Sequence, residues 1–519
     1  MRRGFTGRGG RLVAGVALAA LVTSCSSSLS PTDTIAGSGD AAPEVVAGEV
    51  QLDPGAPASA PGDEAGTAPG PESSVATGAG DAGAVDAPAA AAPGGAAAAS
   101  GQAAPGSKPP AGAQPAPPIP FSQGVTPTTI RIGVFIASYA GLEAKGLRMG
   151  DPELQAQAVA DVINARGGIA GRKIVLSYAK LEAGSSNWES DEQKICTTFT
   201  EDHKVFAVIY SLVSQGNTLL PCLAKHNTPL ISGVGGVADK QLMDQYADFY
   251  YYAGGPELTR MAKMYVDGLH AQGFFGGAGE IGLVRLDSAP FERAAKSSLR
   301  PALAAHGFKI AEEAIVDAQT SLSKTASQMP SIVLKFQQRD IKKVLFLDNA
   351  TLATLFATQA ASQGYYPAYG LTSLSAPGAL MQQNVPKEAL LSTKGVGWSP
   401  ALDVDTTRDA DNPNPAARTC KEIMRKAGQG DVGSAGVSQQ RMFCDELMLL
   451  ERALNSAAEI TPRGLRQQVE GFGASFKSAL TFAARFGPGR HDGAAAVRLL
   501  AFDGGCSCFQ YTSPPRSVG

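Results

Sequence analysis

Apolar and polar residues alternate with two different periods from about residue 129 onward. Short runs of apolar and β-branched residues, beginning with TIRIGVFI, predict buried β-strands. Between these runs, apolar residues recur every three or four positions, which predicts amphipathic helices. In PELQAQAVADVINARGG the apolar helical face is formed by Leu154, Ala158, Val159, Val162 and Ile163. Gly167 follows this face and is expected to end the helix.

These patterns form two consecutive series. The first continues with strands KIVLSYA, KVFAVIYS and TPLISG and with helices ESDEQKICTTFTED and GNTLLPCLAKHN. The second contains helices ELTRMAKMYVDGLHAQG, FERAAKSSLRPALAAHG and NATLATLFATQAASQG and strands EIGLVRL, KIAEEAIV, KKVLFLD and AYGLTS. Strands that alternate with helices in this way favour parallel sheets with right-handed crossovers. Because about 390 residues exceed one simple core, we predict two doubly wound α/β lobes.

The N-terminus has the pattern of an export signal. Four arginines precede the apolar run LVAGVALAALV, which is too short to span a membrane comfortably. The run ends in VTSC and resembles a bacterial lipoprotein signal, which is cut before a cysteine that is then lipidated. We therefore predict a signal peptide over residues 1–24 and a lipid on Cys25 that anchors the protein to the outer face of the cytoplasmic membrane. Secretion with an unmodified Cys25 is the alternative.

Residues 25–124 are dominated by Ala, Pro, Gly and Ser, with ten acidic residues and no Lys or Arg before Lys108. Such a composition buries too little apolar surface to offset the entropy of ordering, so we predict a disordered linker. Its root-mean-square reach is about 50–60 Å. Outside these ten acids and the four arginines of the signal, the chain holds 40 basic and 37 acidic residues. With no basic stripe, this balance argues against a nucleic-acid partner.

Ligands of open α/β sheets bind beyond the carboxyl ends of the strands. Six loops at these ends are rich in Ser, Thr, Asn and Gly, which suit a small polar ligand: ASYAG, YSLVSQGNT, SGVGG, LDSAPF, LDNAT and LTSLS. The candidate contacts are Ser138, Tyr139, Ser211, Ser214, Gln215, Asn217, Ser232, Gly233, Gly235, Asp287, Asp348, Asn349, Thr372 and Ser373. For Ser214 or Thr218 alone, helix capping is the simpler interpretation. The six loops together favour a binding site.

The stretch VADVINARGGIAGRKIVL resembles the N-terminal signature of type I periplasmic binding proteins, in the leucine/isoleucine/valine-binding group. The matching residues are Asn164, Gly167, Gly168, Ile169, Gly171 and Arg172. GVTPTTIRIGVF and FGPGRHDGAAAVRLLAF are similar to the family too, so the resemblance extends from about Val125 to Tyr511. It implies the type I fold, in which three crossovers join two lobes. We place the lobes at residues 125–254 with 403–470 and at residues 255–402 with 471–513.

The resemblance implies a non-enzymatic solute-binding component of an ABC importer, which binds a branched-chain or other amino acid, or a similar small polar molecule, and presents it to permease and ATPase components. We expect a monomer that needs no cofactor or metal. In the family the first lobe holds the ligand carboxylate, here through the loops at residues 211–218 and 232–235. The second lobe usually adds an aromatic residue and an acid for the ligand ammonium group.

The loop expected to carry that acid, GLTSLSAPG, has Thr372, Ser373 and Ser375 but no carboxylate. Asp287 or Asp348 is the expected substitute. If neither takes this role, the ligand lacks an ammonium group and is an amide, a urea-like compound or an organic acid.

With Cys25 lipidated, six cysteines remain for up to three disulfides in an oxidising compartment. Cys196 and Cys222 lie on consecutive helices that flank one strand, and Cys420 and Cys444 lie on two helical stretches near the second crossover. For Cys506 and Cys508 a structural disulfide is favoured over a redox-active or metal-binding pair.

Two functions of other classes stay open. A receptor of the same fold can sense a ligand or recruit a membrane partner without transport. An enzyme would use the redox chemistry of Cys506 and Cys508, or hydrolysis by a cluster around His491, although Asp492-Gly493 predicts an ordinary turn. The stretch GAGEIG matches G-x-G-x-x-G but precedes a strand instead of following one, which excludes a dinucleotide-binding loop.

Overall fold

The structure, a computed structural model, describes residues 121–138, 148–182, 184–210, 218–233, 238–317, 321–348, 350–405 and 414–518. The predicted signal peptide, Cys25 and the predicted linker lie outside these ranges. No helix within the described ranges is long and apolar enough to cross a membrane.

The first lobe is built on a five-stranded sheet whose strands are all parallel, in the order β2-β1-β3-β4-β5. The strands are β1 (Thr129–Ser138), β2 (Lys173–Glu182), β3 (Ala207–Tyr210), β4 (Leu230–Ser232) and β5 (Tyr250–Tyr252). The helices of this lobe are α1 (Pro152–Ala165), α2 (Trp188–Thr197), α3 (Leu219–Lys225), α4 (Lys240–Gln245), α13 (Pro415–Lys426), α14 (Ser434–Asn455) and α15 (Pro462–Glu470).

The second lobe has a larger sheet in the order β12-β11-β10-β9-β8-β6-β7, with β13 paired to β11. Its strands are β6 (Glu280–Leu286), β7 (Glu312–Val316), β8 (Ile341–Leu347), β9 (Ala368–Thr372), β10 (Lys394–Gly397), β11 (Ala496–Asp503), β12 (Cys508–Tyr511) and β13 (Arg516–Ser517). Its helices are α5 (Leu258–Ala271), α6 (Ala289–Ala294), α7 (Arg300–Ala305), α8 (Leu322–Gln338), α9 (Leu352–Ser362), α10 (Gln382–Asn384), α11 (Lys387–Leu390) and α12 (Pro400–Asp403).

The prediction of two α/β lobes is confirmed, but the second sheet is only partly parallel. Strands β6 to β10 are parallel, whereas β11 runs antiparallel to β10, β12 and β13. The short connection between Asp503 and Cys508 accounts for the antiparallel pairing of β11 with β12, because a tight turn joins only antiparallel neighbours.

Helix α1 shows how local sequence sets a boundary and a buried face. The Asp151 side chain accepts hydrogen bonds from the backbone N–H groups of Glu153 and Leu154, at 2.9 and 3.2 Å, and begins the helix. The helix ends before Gly167, which adopts a φ of +105° as only glycine does readily. The predicted apolar face is wrong at one position, because Leu154 is 52% exposed while the helix buries Ala156 and Ala160 instead.

The structure forms the three disulfides that the sequence suggested: Cys196–Cys222, Cys420–Cys444 and Cys506–Cys508. The first joins α2 to α3, and the second joins α13 to α14. The third lies at the turn between β11 and β12.

The chain passes between the lobes three times: from β5 to α5, from α12 to α13, and from α15 to β11. The predicted residue boundaries of the lobes stay a prediction. Within the range 471–513, which we assigned to the second lobe, the core of the first lobe includes Phe472, Phe476 and Phe486. At the first crossing, Gly254 approaches the first sheet so closely that a Cβ atom would lie 1.6 Å from the Gly233 carbonyl oxygen. No other residue fits at position 254 without a backbone shift.

The first and third crossings are tied to each other. The Tyr252 N–H donates to the His491 carbonyl at 2.9 Å. The Asp492 carboxylate accepts from the Glu257 N–H at 2.9 Å and forms a buried ion pair with Arg260. The His491 ring is buried and bonded to the Glu470 carboxylate at 2.9 Å. His491 and Asp492, considered above for a hydrolytic cluster, therefore join segments of the two lobes.

Tyr265 on α5 provides a test of the second core. Its buried hydroxyl donates to the Gly370 carbonyl at 2.6 Å and accepts from the Phe346 N–H at 3.2 Å, where the register between β8 and β9 ends. Tyr265→Phe leaves both backbone groups without this partner, and we expect the free energy of unfolding to fall by about 1–3 kcal/mol. Urea denaturation measures the change.

Tyr366→Phe is the matched control, because Tyr366 is 54% exposed and its hydroxyl is accessible to water in the folded and the unfolded protein. We expect this variant to unfold at the urea concentration of the parent protein. Equal stabilities for the two variants would contradict the role assigned to the Tyr265 hydroxyl.

Candidate functional site

The predicted binding loops are only partly within the described residues. Seven of the predicted contacts are described: Ser138, Ser232, Gly233, Asp287, Asp348, Thr372 and Ser373. The others lie outside the described residues, namely Tyr139, Ser211, Ser214, Gln215, Asn217, Gly235 and Asn349. The described groups lie at the carboxyl ends of β1, β4, β6, β8 and β9, as the alternating pattern of strands and helices predicts.

The polar groups at this edge of the second lobe form a buried network. The Asp348 carboxylate accepts from the Ala353 N–H and the Ser375 hydroxyl, both at 3.1 Å. The Ser373 hydroxyl accepts from the backbone N–H groups of Trp398 and Ser399, at 2.8 and 3.1 Å.

Thr372 belongs to the same network, since its hydroxyl accepts from the Leu374 N–H at 3.1 Å. Asp348, Thr372 and Ser373 are each at most 1% exposed, and the hydrogen-bond partners described for them belong to the protein itself. Asp287, at the end of β6, is exposed and its N–H donates to the Val316 carbonyl at 2.8 Å. Asp348 and Asp287 thus differ in burial, and a role for either in binding an ammonium group stays a prediction.

At the matching edge of the first lobe, the structure places a residue that the sequence did not single out. Glu446, on α14, is fully buried, and its Oε1 atom accepts from the Gly233 N–H at 2.7 Å and the Tyr210 N–H at 3.3 Å. Burial raises the pKa of the Glu446 carboxyl well above its usual range, and the neighbouring Asp445 carboxyl adds to this. A sequence signal was present, because Glu446 lies on the face of α14 that buries Phe443 and Leu450.

Asp445, which also lies on α14, binds the third crossing of the chain between the lobes. Its carboxylate accepts from the Ser478 hydroxyl and from the backbone N–H groups of Ala479 and Leu480, at 2.6 and 3.2 Å for the two N–H groups. Burial raises the pKa of Asp445 to about 7 despite these bonds. Two consecutive acids of α14 therefore bind backbone N–H groups, one at the sheet edge and one at the crossing.

The two lobes meet in a small apolar cluster next to these acids. Ala376 and Ala379, from the segment after β9, pack with Leu402, with Leu480 and with Met442 of α14. Met442 lies one turn before Glu446, and a Cβ atom at Gly233 would lie 2.6 Å from the Met442 Cβ and 3.0 Å from the Glu446 Oε1. The carboxyl edges of both sheets therefore face the junction of the lobes.

The arrangement suits hydrogen bonding of a small molecule between two lobes. Among the residues that the structure describes, no group of three or more His, Cys, Asp or Glu side chains is placed to hold a metal ion. The chemistry available at the described edges is that of hydroxyl, carboxyl and backbone N–H groups.

Comparisons with known proteins agree with this geometry. Residues 129–505 match the family model described as periplasmic binding protein. A comparison with curated proteins finds no match.

Among solved structures, the chain is similar to a branched-chain amino acid transporter substrate binding protein of Streptococcus pneumoniae in complex with isoleucine, with 15% identity, a TM-score of 0.53 and coverage of 75% of this chain and 99% of that one. It is also similar to a fatty acid ABC transporter substrate-binding protein of Thermomonospora curvata, with 16% identity, a TM-score of 0.53 and coverage of 77% and 95%. An ABC transporter substrate binding protein of Aeropyrum pernix gives a TM-score of 0.56 at 15% identity, with coverage of 76% and 96%. At these identities the similarity establishes the two-lobed fold.

The buried acid Asp348 predicts a pH dependence of stability. Burial raises its pKa from 3.8 to about 7, against hydrogen bonds that lower it. Between these values the folded state keeps a proton that the unfolded chain loses, so stability falls as the pH rises, by up to about 1.4 kcal/mol per pH unit for one group. Asp348→Asn removes this contribution, and we expect its free energy of unfolding to decline less than that of the parent protein between about pH 5 and 7.5.

Urea unfolding at several pH values measures these slopes. Asp202→Asn is the control, since Asp202 is exposed and we expect the slope of the parent protein to be retained. Identical slopes for Asp348→Asn and the parent protein would contradict the assignment of a raised pKa to Asp348.

Proposed function

The chain belongs to the periplasmic binding protein family, and from this premise we propose that it is the extracytoplasmic solute receptor of an ABC importer. Its two lobes close on a small polar solute, and the closed form presents the solute to a permease driven by an ATPase component. The observation that carries this proposal is that the carboxyl edges of both sheets face one junction, where the segment after β9 packs on Met442 of α14 and Gly233, directly after β4, binds Glu446 of the same helix.

Hinge closure requires crossings that bend while the lobes keep their shape. Each lobe has its own apolar core, and the first and third crossings are tied by the bonds of Asp492. This separation of two rigid cores by a few short connections is what a closing receptor needs. Branched-chain and other amino acids, amides and urea-like compounds are the proposed solutes. The fatty acid named for one similar structure adds a further class to test.

A thermal-shift screen of the intact protein tests the proposal. The panel contains branched-chain and other amino acids, short amides, urea, polyamines, organic acids and fatty acids. A solute at a hundred times its Kd stabilises the folded state by about 2.7 kcal/mol, so we expect at least one member to raise the Tm by several degrees. An unchanged Tm across the whole panel would contradict the receptor function and favour a scaffold of the same fold that recruits a membrane partner.

We also propose that Cys25 carries the lipid that holds the receptor at the membrane. The support is the position of Cys25, directly after an apolar run of signal-peptide length and two small residues. We expect Cys25→Ala to abolish incorporation of labelled palmitate and to move the protein from the membrane fraction to the soluble fraction. Ser26→Ala is the control and is expected to keep both the label and the membrane location. Palmitate label on the Cys25→Ala protein would contradict lipidation at this position.

A further inference from the structure

A second concave surface lies outside the candidate solute site, where the chain passes between the lobes. This cavity has a volume of about 890 Å³, which is the size of a small-molecule site. Its walls come from the third crossing, from β11 with the residue before it, from the segment after β12 and from the start of α13. None of the candidate solute contacts is among the described residues that line it.

The third crossing borders both the cavity and the junction of the lobes. Leu480 packs in the apolar cluster that joins the lobes, whereas Lys477, Ser478, Thr481 and Phe482 line the cavity. A molecule in the cavity therefore contacts this crossing on one side and β11 of the second lobe on the other. The cavity is a place where a ligand would bridge segments that connect the two lobes.

The charged side chains of the cavity are all positive. Lys477, Arg485 and Arg498 line it, and no Asp or Glu is among the described lining residues. Within the described part of the chain, none of the three cations forms an ion pair with a carboxylate. Charges of one sign around a concave surface concentrate the electrostatic potential there and attract a ligand of the opposite sign.

The Arg498 side chain is held in place by contacts on several sides. Its guanidinium lies 4.3 Å from the centre of the Tyr511 ring and 5.7 Å from that of the Phe482 ring. Its Nε atom donates to the Ser513 carbonyl at 2.7 Å. No other described residue accepts a hydrogen bond from this side chain, so its two terminal nitrogens can donate together to one carboxylate.

The remaining lining gives the cavity an apolar wall. Phe476, Phe482, Pro514, Pro515 and Val518 contribute to it, together with several alanines. A hydrated inorganic ion gains little from such a wall. The apolar part of an organic anion, by contrast, buries surface against it and is stabilised in proportion to the area buried.

We propose that this cavity binds an organic anion, namely a carboxylate with an aliphatic or aromatic body. The carboxylate pairs with Arg498, Arg485 and Lys477, and the body packs on Phe482 and the neighbouring apolar residues of the C-terminal segment. This site is separate from the solute site, and it does not depend on the solute-receptor function.

Matched probes that differ in charge test the proposal by calorimetry with the intact protein. One set is octanoate, octanamide and octylamine, and the other is 4-phenylbutanoate, 4-phenylbutanamide and 4-phenylbutylamine. We expect at least one carboxylate to bind at least tenfold more tightly than its amide and its amine, and than acetate, with an affinity that falls as salt is added. Equal or tighter binding of the amide, the amine or acetate would overturn the proposal, and so would a failure of both carboxylates to bind.

A double variant tests whether the carboxylate binds in this cavity. Lys477→Gln with Arg485→Gln removes two exposed cations of the cavity, and we expect the affinity for the better carboxylate to fall at least tenfold. Lys173→Gln with Lys309→Gln is the control, because it removes the same charge at exposed positions outside the cavity. We expect this control to keep the affinity of the parent protein.

The two double variants also separate this site from the solute site. A carboxylate that binds the solute site keeps its affinity when Lys477 and Arg485 are replaced, and this result would overturn the proposal while leaving the receptor function in place. An equal loss of affinity in both double variants would show an effect of net charge alone and would overturn the proposal as well.

Discussion

The hydrogen bonds from the third crossing to the Asp445 carboxylate hold the two lobes in their relation. Ser478, Ala479 and Leu480 all donate to this one side chain, so the crossing is fixed on the buried face of α14. Leu480 is thereby placed in the apolar cluster with Met442, Ala376 and the neighbouring residues of the second lobe. These bonds therefore position one wall of the cluster that joins the lobes.

Helix α14 therefore has three tasks at successive positions. Met442 packs against the second lobe, Asp445 binds the crossing, and Glu446 binds the ends of β3 and β4. The disulfide between Cys444 and Cys420 adds a covalent link to α13 on the same turn. Two adjacent acids are tolerated in this core because each accepts hydrogen bonds from backbone N–H groups, which are otherwise unpaired at strand ends and in crossings.

The sequence predicted the parts of the fold whose pattern is local. Runs such as TIRIGVFI gave strands because parallel strands are covered on both faces, and Gly167 ended α1 as expected. Strand β5, with only three residues, and the short strands β10, β12 and β13 carry too little pattern to be recognised. Helix α8 was overlooked as well, because Pro330 lies inside it, although its buried face of Met329, Val333 and Phe336 has a regular helical spacing. The position of Glu446 on the buried face of α14 was a signal of burial, but its partners are backbone groups more than two hundred residues away, which no residue type in the sequence indicates.

The buried polar groups at the two facing edges bind different parts of the fold. In the second lobe, the helix and turns that follow β8, β9 and β10 donate backbone hydrogen bonds to Asp348, Thr372 and Ser373. These bonds hold the turns that form that edge. In the first lobe, Glu446 binds the backbone N–H groups at the ends of β3 and β4. Both edges are thereby held by buried polar side chains that accept hydrogen bonds from backbone N–H groups of neighbouring elements.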